Sequence, residues 1–229
     1  MTEDALGWTH FALALIAFLG SHSIPAQPPI RRRLVGMLGE KAYLALYSLM
    51  SLALLFWLFV AAGQAPYVEI WPAETWQRHL ARVLVPLAFA LGAMGLHVGN
   101  PLSLSVGGTA FGRDRVRILH VTRHPVLWAL ALWAFAHLLA NGDLAHVILF
   151  GVMLALSIGG MAILDRRAKR RLGGDEWLAL TADRPFLPFA KPRALRWLSL
   201  QDVALALVGL LLAVAMMHAH QFIIGVPAI

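Results

Sequence analysis

The stretch His120–Asp143, HVTRHPVLWALALWAFAHLLANGD, decides the fold class. A basic turn (Arg117 just before it, Arg123 within it) leads to a helix start at His124-Pro125; an apolar run then carries a single histidine, His137, and stops at Asn141-Gly142-Asp143. Proline suits a first helical turn, where its missing N–H has no helical partner, and an Asn-Gly pair suits a helix end because both residues tolerate a left-handed backbone. From Pro125 to Ala140 the one ionisable side chain is His137. The segment therefore reads as a membrane-spanning helix, and its histidine as either a packing residue or a ligand.

The rest of the composition agrees. With 229 residues, 59% hydrophobic and 14% charged, and a mean hydropathy of +0.70, the chain is too apolar for an ordinary soluble domain. Cysteine is absent, which excludes disulfides, thiolate catalysis, iron–sulfur clusters and covalent haem attachment, and leaves the ten histidines as the strong metal ligands. The net charge of +7 suits basic cytoplasmic loops. No nucleic-acid partner is expected, since no basic run is interleaved with aromatics on a soluble domain. The spans hold no HExxH, no nucleophile elbow and no paired carboxylates, so hydrolase chemistry has no support.

Working outward from Pro125–Ala140, the residues predict six spans in one integral membrane domain, 1–229: an all-α polytopic bundle with a surface amphipathic segment. Upstream lie a third span over 82–98, a second over 42–62 and a first over 5–20. Pro25, Pro28 and Pro29 argue against helix between the first two, and the glycine-rich 105–117 reads as a loop. Tyr67, Trp71 and Trp76 place the loop after the second span at headgroup level. Downstream, a fifth span over 145–164 offers Gly151, Gly159 and Gly160 for close helix contact, and a sixth covers 200–220. Between them a basic block and an amphipathic segment reach Trp197, expected on the membrane surface facing anionic headgroups.

Lysine and arginine fix the orientation. With both termini outside, 17 of the 19 fall on the inner side and only Arg78 and Arg82 outside. His22, His97, His120 and His124 then sit at inner helix ends, and His10, His137 and His218 in outer halves. His79, His146 and His220 read as interfacial, while Asp143 and Asp165 at helix ends read as solvated or capping. Two histidines holding one haem iron must come from different helices, and spacing leaves several pairs and a pure packing role open.

The quoted stretch resembles the NnrU family of bacterial membrane proteins, relatives of the plant zeta-carotene isomerases. The resemblance extends to HSIP at His22–Pro25, to LGEKAY and LYSLMSL in the second span, and to the DRR and LPF tail. It implies a multi-span bacterial inner-membrane protein linked to nitrogen-oxide and denitrification metabolism. From the isomerase branch it implies haem b held by histidines matching His22 and His137. The isomerases can also use a cysteine three residues before the second histidine, where this chain has Ala134. Depth counted along the helices makes His10 the alternative partner of His137. Beside such a haem stand Arg123, whose planar fork suits a propionate or a lipid phosphate, and His124; a plain positive-inside role for Arg123 is the alternative.

The function expected is a haem b-binding membrane protein of redox or nitrogen-oxide metabolism, with isomerisation of a lipophilic polyene as the chemistry of its relatives. Two other readings stay open. One is a membrane methyltransferase of the isoprenylcysteine carboxyl methyltransferase type, which shares Arg123-His124-Pro125. That type carries an acidic pair at the inner end of the next span, where this chain reads Leu164-Asp165-Arg166-Arg167. The other is a non-catalytic assembly or transport partner.

Overall fold

Eight α-helices and two short 3-10 turns, with no strand beyond one isolated bridge, make up the described residues of the computed structural model: 2–25, 27–104, 117–192, 194–226 and 228. The helices are α1 (Glu3–Ser23), α2 (Pro28–Leu38), α3 (Glu40–Gln64), α4 (Thr75–His97), α5 (Pro125–Ala140), α6 (Leu144–Leu172), α7 (Gly174–Thr181) and α8 (Leu200–Ile223). The 3-10 turns are Arg117–His120 and Ala194–Trp197. Five helices, α1, α3, α4, α6 and α8, are long and apolar enough to cross a bilayer. The protein is a multi-pass membrane protein. The segment 105–116, most of the expected glycine-rich loop, lies outside the described residues.

The fourth expected span, α5, has 16 residues. At 1.5 Å per residue it rises only about 24 Å, against a hydrocarbon core of about 30 Å. It is also deeply buried: Pro125, Val126, Leu127, Ala129, Ala131, Ala134 and Ala136 are all enclosed. Leu130 and Phe135 stay exposed, but protein covers most of this helix, which need not match the thickness of the lipid there.

Residue contacts divide the chain into two compact units, Met1–Pro72 with Gly142–Leu149, and Ala73–Asn141 with Phe150–Ile229. In the first, α1 packs on α3, and Trp57 of α3 donates from Nε1 to His10 Nε2 at 2.6 Å. Gly7 permits the approach of the chain after α3, since a Cβ there would lie 2.9 Å from Pro66 and 3.1 Å from the Gln64 carbonyl. Contrary to the expectation from the prolines, the chain turns helical again at α2. Pro28 and Pro29 occupy its first positions, where fixed φ and a missing N–H cost nothing.

The end of α5 also departs from expectation. Asn141 closes the helix at φ −117°, outside the left-handed region, with its N–H and its side-chain amide both on the His137 carbonyl. The glycine that follows is required by a close approach instead. In the first unit the Gly142 carbonyl accepts from Ile70 and Trp71 (2.7 and 3.2 Å), and a Cβ on Gly142 would overlap the Trp71 carbonyl.

In the second unit α4 is the central helix, with α5 and α8 against it. Small residues set the spacing. A Cβ on Gly95 would lie 2.9 Å from Pro125, and one on Gly209 of α8 would lie 2.5 Å from the Phe89 carbonyl of α4. Of the glycines expected to do this, Gly151 and Gly159 have no described atom within 4 Å of where a Cβ would stand, and Gly160 makes only ordinary contact with Leu127. One end of this unit is gathered by a core of Val98, Ile118, Leu119, Val121 and Ala194 with Leu198 packed on it. The C-terminus of α4, the approach to α5 and the approach to α8 therefore meet there.

Candidate functional site

The turn that starts α5 is pinned to a strap formed by residues 183–189. Arg123 donates its N–H to the Pro185 carbonyl (2.9 Å), Thr122 Oγ1 donates to the Phe186 carbonyl (2.8 Å), and Trp128 Nε1 donates to the same oxygen (2.9 Å). Asn100 Nδ2 holds the Arg123 carbonyl at 2.9 Å. These bonds fix the directions of Arg123 and His124.

Both side chains converge on one carboxylate, Asp165 of α6. Arg123 donates from Nε to the two oxygens (3.0 and 3.1 Å) and from Nη2 to Oδ2, while Nη1 reaches the Arg184 carbonyl at 3.2 Å. His124 Nε2 lies 3.0 Å from Oδ1; its ring is fully buried, and its Nδ1 has no partner among the described residues. A carboxylate can only accept, so His124 carries its proton on Nε2. The guanidinium also lies over Phe186 (5.2 Å) and Trp177 (5.9 Å). Burial pulls Arg184 below its ordinary range, with the Asp183 carboxylate acting the other way. Asp165 thus balances Arg123 inside the protein, which corrects its reading as a solvated helix-end residue. Nothing in the local sequence announces this, because its partners lie 41 and 42 positions away.

The remaining histidines divide by tautomer. His137 places Nδ1 2.8 Å from the Trp133 carbonyl, and His22, in the last turn of α1, places Nδ1 2.9 Å from the Phe18 carbonyl. A carbonyl cannot donate, so both rings are protonated at Nδ1 and keep the Nε2 lone pair. His218 is held the same way on Val214, and is exposed. His10 is the opposite case: the Trp57 indole can only donate, so His10 Nε2 is taken. His137 lies between Trp133 and Phe150 (ring centroids 4.5 and 5.0 Å), and His22 against Phe18 and Tyr47 (4.2 and 6.2 Å). His146 is bonded to Asp143, whose carboxylate also takes the His146 N–H and so starts α6. His22 belongs to the first unit and His137 to the second.

A neutral imidazole with Nδ1 anchored on a backbone carbonyl and Nε2 unengaged is the form that ligates a metal, because the second hydrogen bond fixes ring orientation and raises basicity. His22 and His137 fit that requirement and His10 does not. Arg123 and His124, expected beside the same group, are both committed to Asp165, and an anion would have to displace that carboxylate.

No curated protein and no solved structure matches the chain. Among families, the one described as NnrU protein matches residues 10–228, from the first span to the end of the last helix and beyond, so the chain belongs to the NnrU family.

Proposed function

We propose that this protein is a haem b-binding protein of the bacterial inner membrane with a role in redox or nitrogen-oxide metabolism, and that His22 and His137 are the residues that would hold the haem. The observation that carries the reading is the anchoring of these two rings among aromatic neighbours, Nδ1 on the carbonyl four residues back and Nε2 left with its lone pair, whereas His218, anchored the same way, is exposed. Bound haem would supply one-electron exchange. The chain would supply ring orientation: Phe18 packs on His22, and Trp133 and Phe150 pack on His137.

A redox or nitrogen-oxide role is preferred to polyene isomerisation because the position of the isomerases' cysteine is Ala134, a fully buried methyl group that cannot coordinate iron. The methyltransferase reading draws no support from Asp165, whose two oxygens are already taken by Arg123 and His124.

Protein purified from haem-replete cells should show a Soret band that His22→Ala and His137→Ala each abolish or shift. His10→Ala should leave it in place. A colourless wild-type protein, or a spectrum indifferent to both ligand substitutions, would return these histidines to a packing role.

A further inference from the structure

The strap that pins Arg123 carries a strained residue with an unsheltered ring. Phe189 has φ +60°, the one non-glycine residue in the left-handed region among those described. Its N–H is fixed on the Val121 carbonyl at 3.1 Å, while its ring is 62% exposed and its neighbour Leu187 is 57% exposed. Phe186 between the strap and α5 points the other way, packed into the core with Leu127, Ala131 and Met161. An aromatic residue in this conformation is a genuine outlier, and local strain of this kind marks a place where the surroundings dictate a direction. The direction here is outward.

The same unit carries exposed basic residues. Arg166, Arg167 and Arg170, on the last turns of α6, are exposed, and Arg196 lies over the half-exposed Trp197 ring at 5.0 Å. Trp197 is stacked in turn on His120 (4.6 Å, 19°), so this aromatic platform is rigid. The exposed carboxylates of the same segment are Asp175, Glu176 and Asp183. Apolar wedge, aromatic platform and guanidinium groups all belong to the end of the second unit where α6 ends and α8 begins.

We infer that this end is a recognition surface for anionic phospholipid: Leu187 and Phe189 enter the boundary between headgroups and acyl chains, and the arginines take the phosphates. Charge complementarity selects the occupant. The arginines' planar forks match phosphodiester oxygens, whereas an uncharged apolar partner would leave them unanswered. The anionic lipid is then a bound partner held at one place, beyond its part as the solvent of the spans.

The chain has no cysteine, so Phe189→Cys and, as a second reporter without the unusual φ, Leu187→Cys can each carry a single nitrobenzoxadiazole label. Asp183→Cys serves as the exposed polar control. In nanodiscs containing phosphatidylglycerol, labels at 189 and 187 should emit at shorter wavelength than at 183 and be quenched by a nitroxide lipid. In phosphatidylcholine alone the difference should shrink. Each basic residue near an anionic surface is worth roughly fivefold in binding, so replacing Arg166, Arg167 and Arg170 by Gln should lower phosphatidylglycerol retention in native mass spectra by up to about a hundredfold. Water-like emission at both reporters, or labelling and retention that do not distinguish the two lipids, overturns the proposal.

Discussion

Asp165 holds the turn of Arg123 and His124 to α6, and the consequences of losing it can be read from its bonds. Removing the carboxylate leaves a guanidinium and an imidazole N–H without their acceptor in a site where Arg123 and Asp165 keep only 12% and 14% side-chain exposure. Breaking a buried pair from one side costs about 3–5 kcal/mol, and the residual exposure puts Asp165→Ala near the lower end. Replacing both partners with apolar residues should recover part of that loss, because no uncompensated guanidinium then remains while the buried His124 N–H still lacks its acceptor. Denaturant unfolding in detergent of Asp165→Ala, Arg123→Met and the double variant gives the cycle; an Asp165→Ala change within about 0.5 kcal/mol, the ordinary surface scatter, would show the pair to be idle. Sequence made His137 conspicuous, since an ionisable group inside an apolar run needs a reason. It left Asp165 unremarked, because a carboxylate at a helix end has an easy default in water and its partners are remote in the chain.

At the level of helices, the extents of the spans were legible and their contacts were not. Apolar runs mark where a helix can lie in lipid, but the faces toward lipid and toward protein are equally apolar, so hydrophobic pattern cannot say which glycine meets a neighbour. Gly209 shows the difference. A Cβ there would meet the Phe89 carbonyl at 2.5 Å and the Ala90 Cα at 2.7 Å, backbone atoms that cannot rotate away. Gly209→Ala should therefore push α8 from α4 and destabilise the protein by about 1–3 kcal/mol, the usual cost of overpacking, despite the gain in helix propensity. Gly159→Ala, with open space around it, should be neutral or slightly stabilising. Thermal unfolding of both variants in one detergent tests the contrast, and equal shifts would contradict the close approach. The α2 helix was hidden for a related reason: proline forbids a helix interior but favours its first turn, and the sequence alone does not say which place Pro28 and Pro29 hold.

For the molecule as a whole, the short α5 decides topology. If all six apolar helices cross, 17 of the 19 lysines and arginines lie on one side. Were α5 to stop short of crossing, every later loop would change sides, and the same count would become eight inside and eleven outside, with Arg166 to Arg196 exported. Short loops obey the positive-inside bias strongly, so we expect α5 to cross although it rises only about 24 Å. Its close packing on α4 makes this affordable, since the side of α5 that meets protein does not have to thin the bilayer, and Leu130 and Phe135 alone among its large apolar side chains are exposed. We expect both termini in the periplasm: reporter fusions at Gly36 and Gly174 should read as cytoplasmic, and one at Trp71 as periplasmic. A periplasmic reading at Gly174 with a cytoplasmic one at Gly36 would mean that α5 does not cross. Such a result would also remove the basis for placing the arginines of α6 against the inner leaflet, while leaving the tautomers of His22 and His137 as they are, because those depend on hydrogen bonds within single helices.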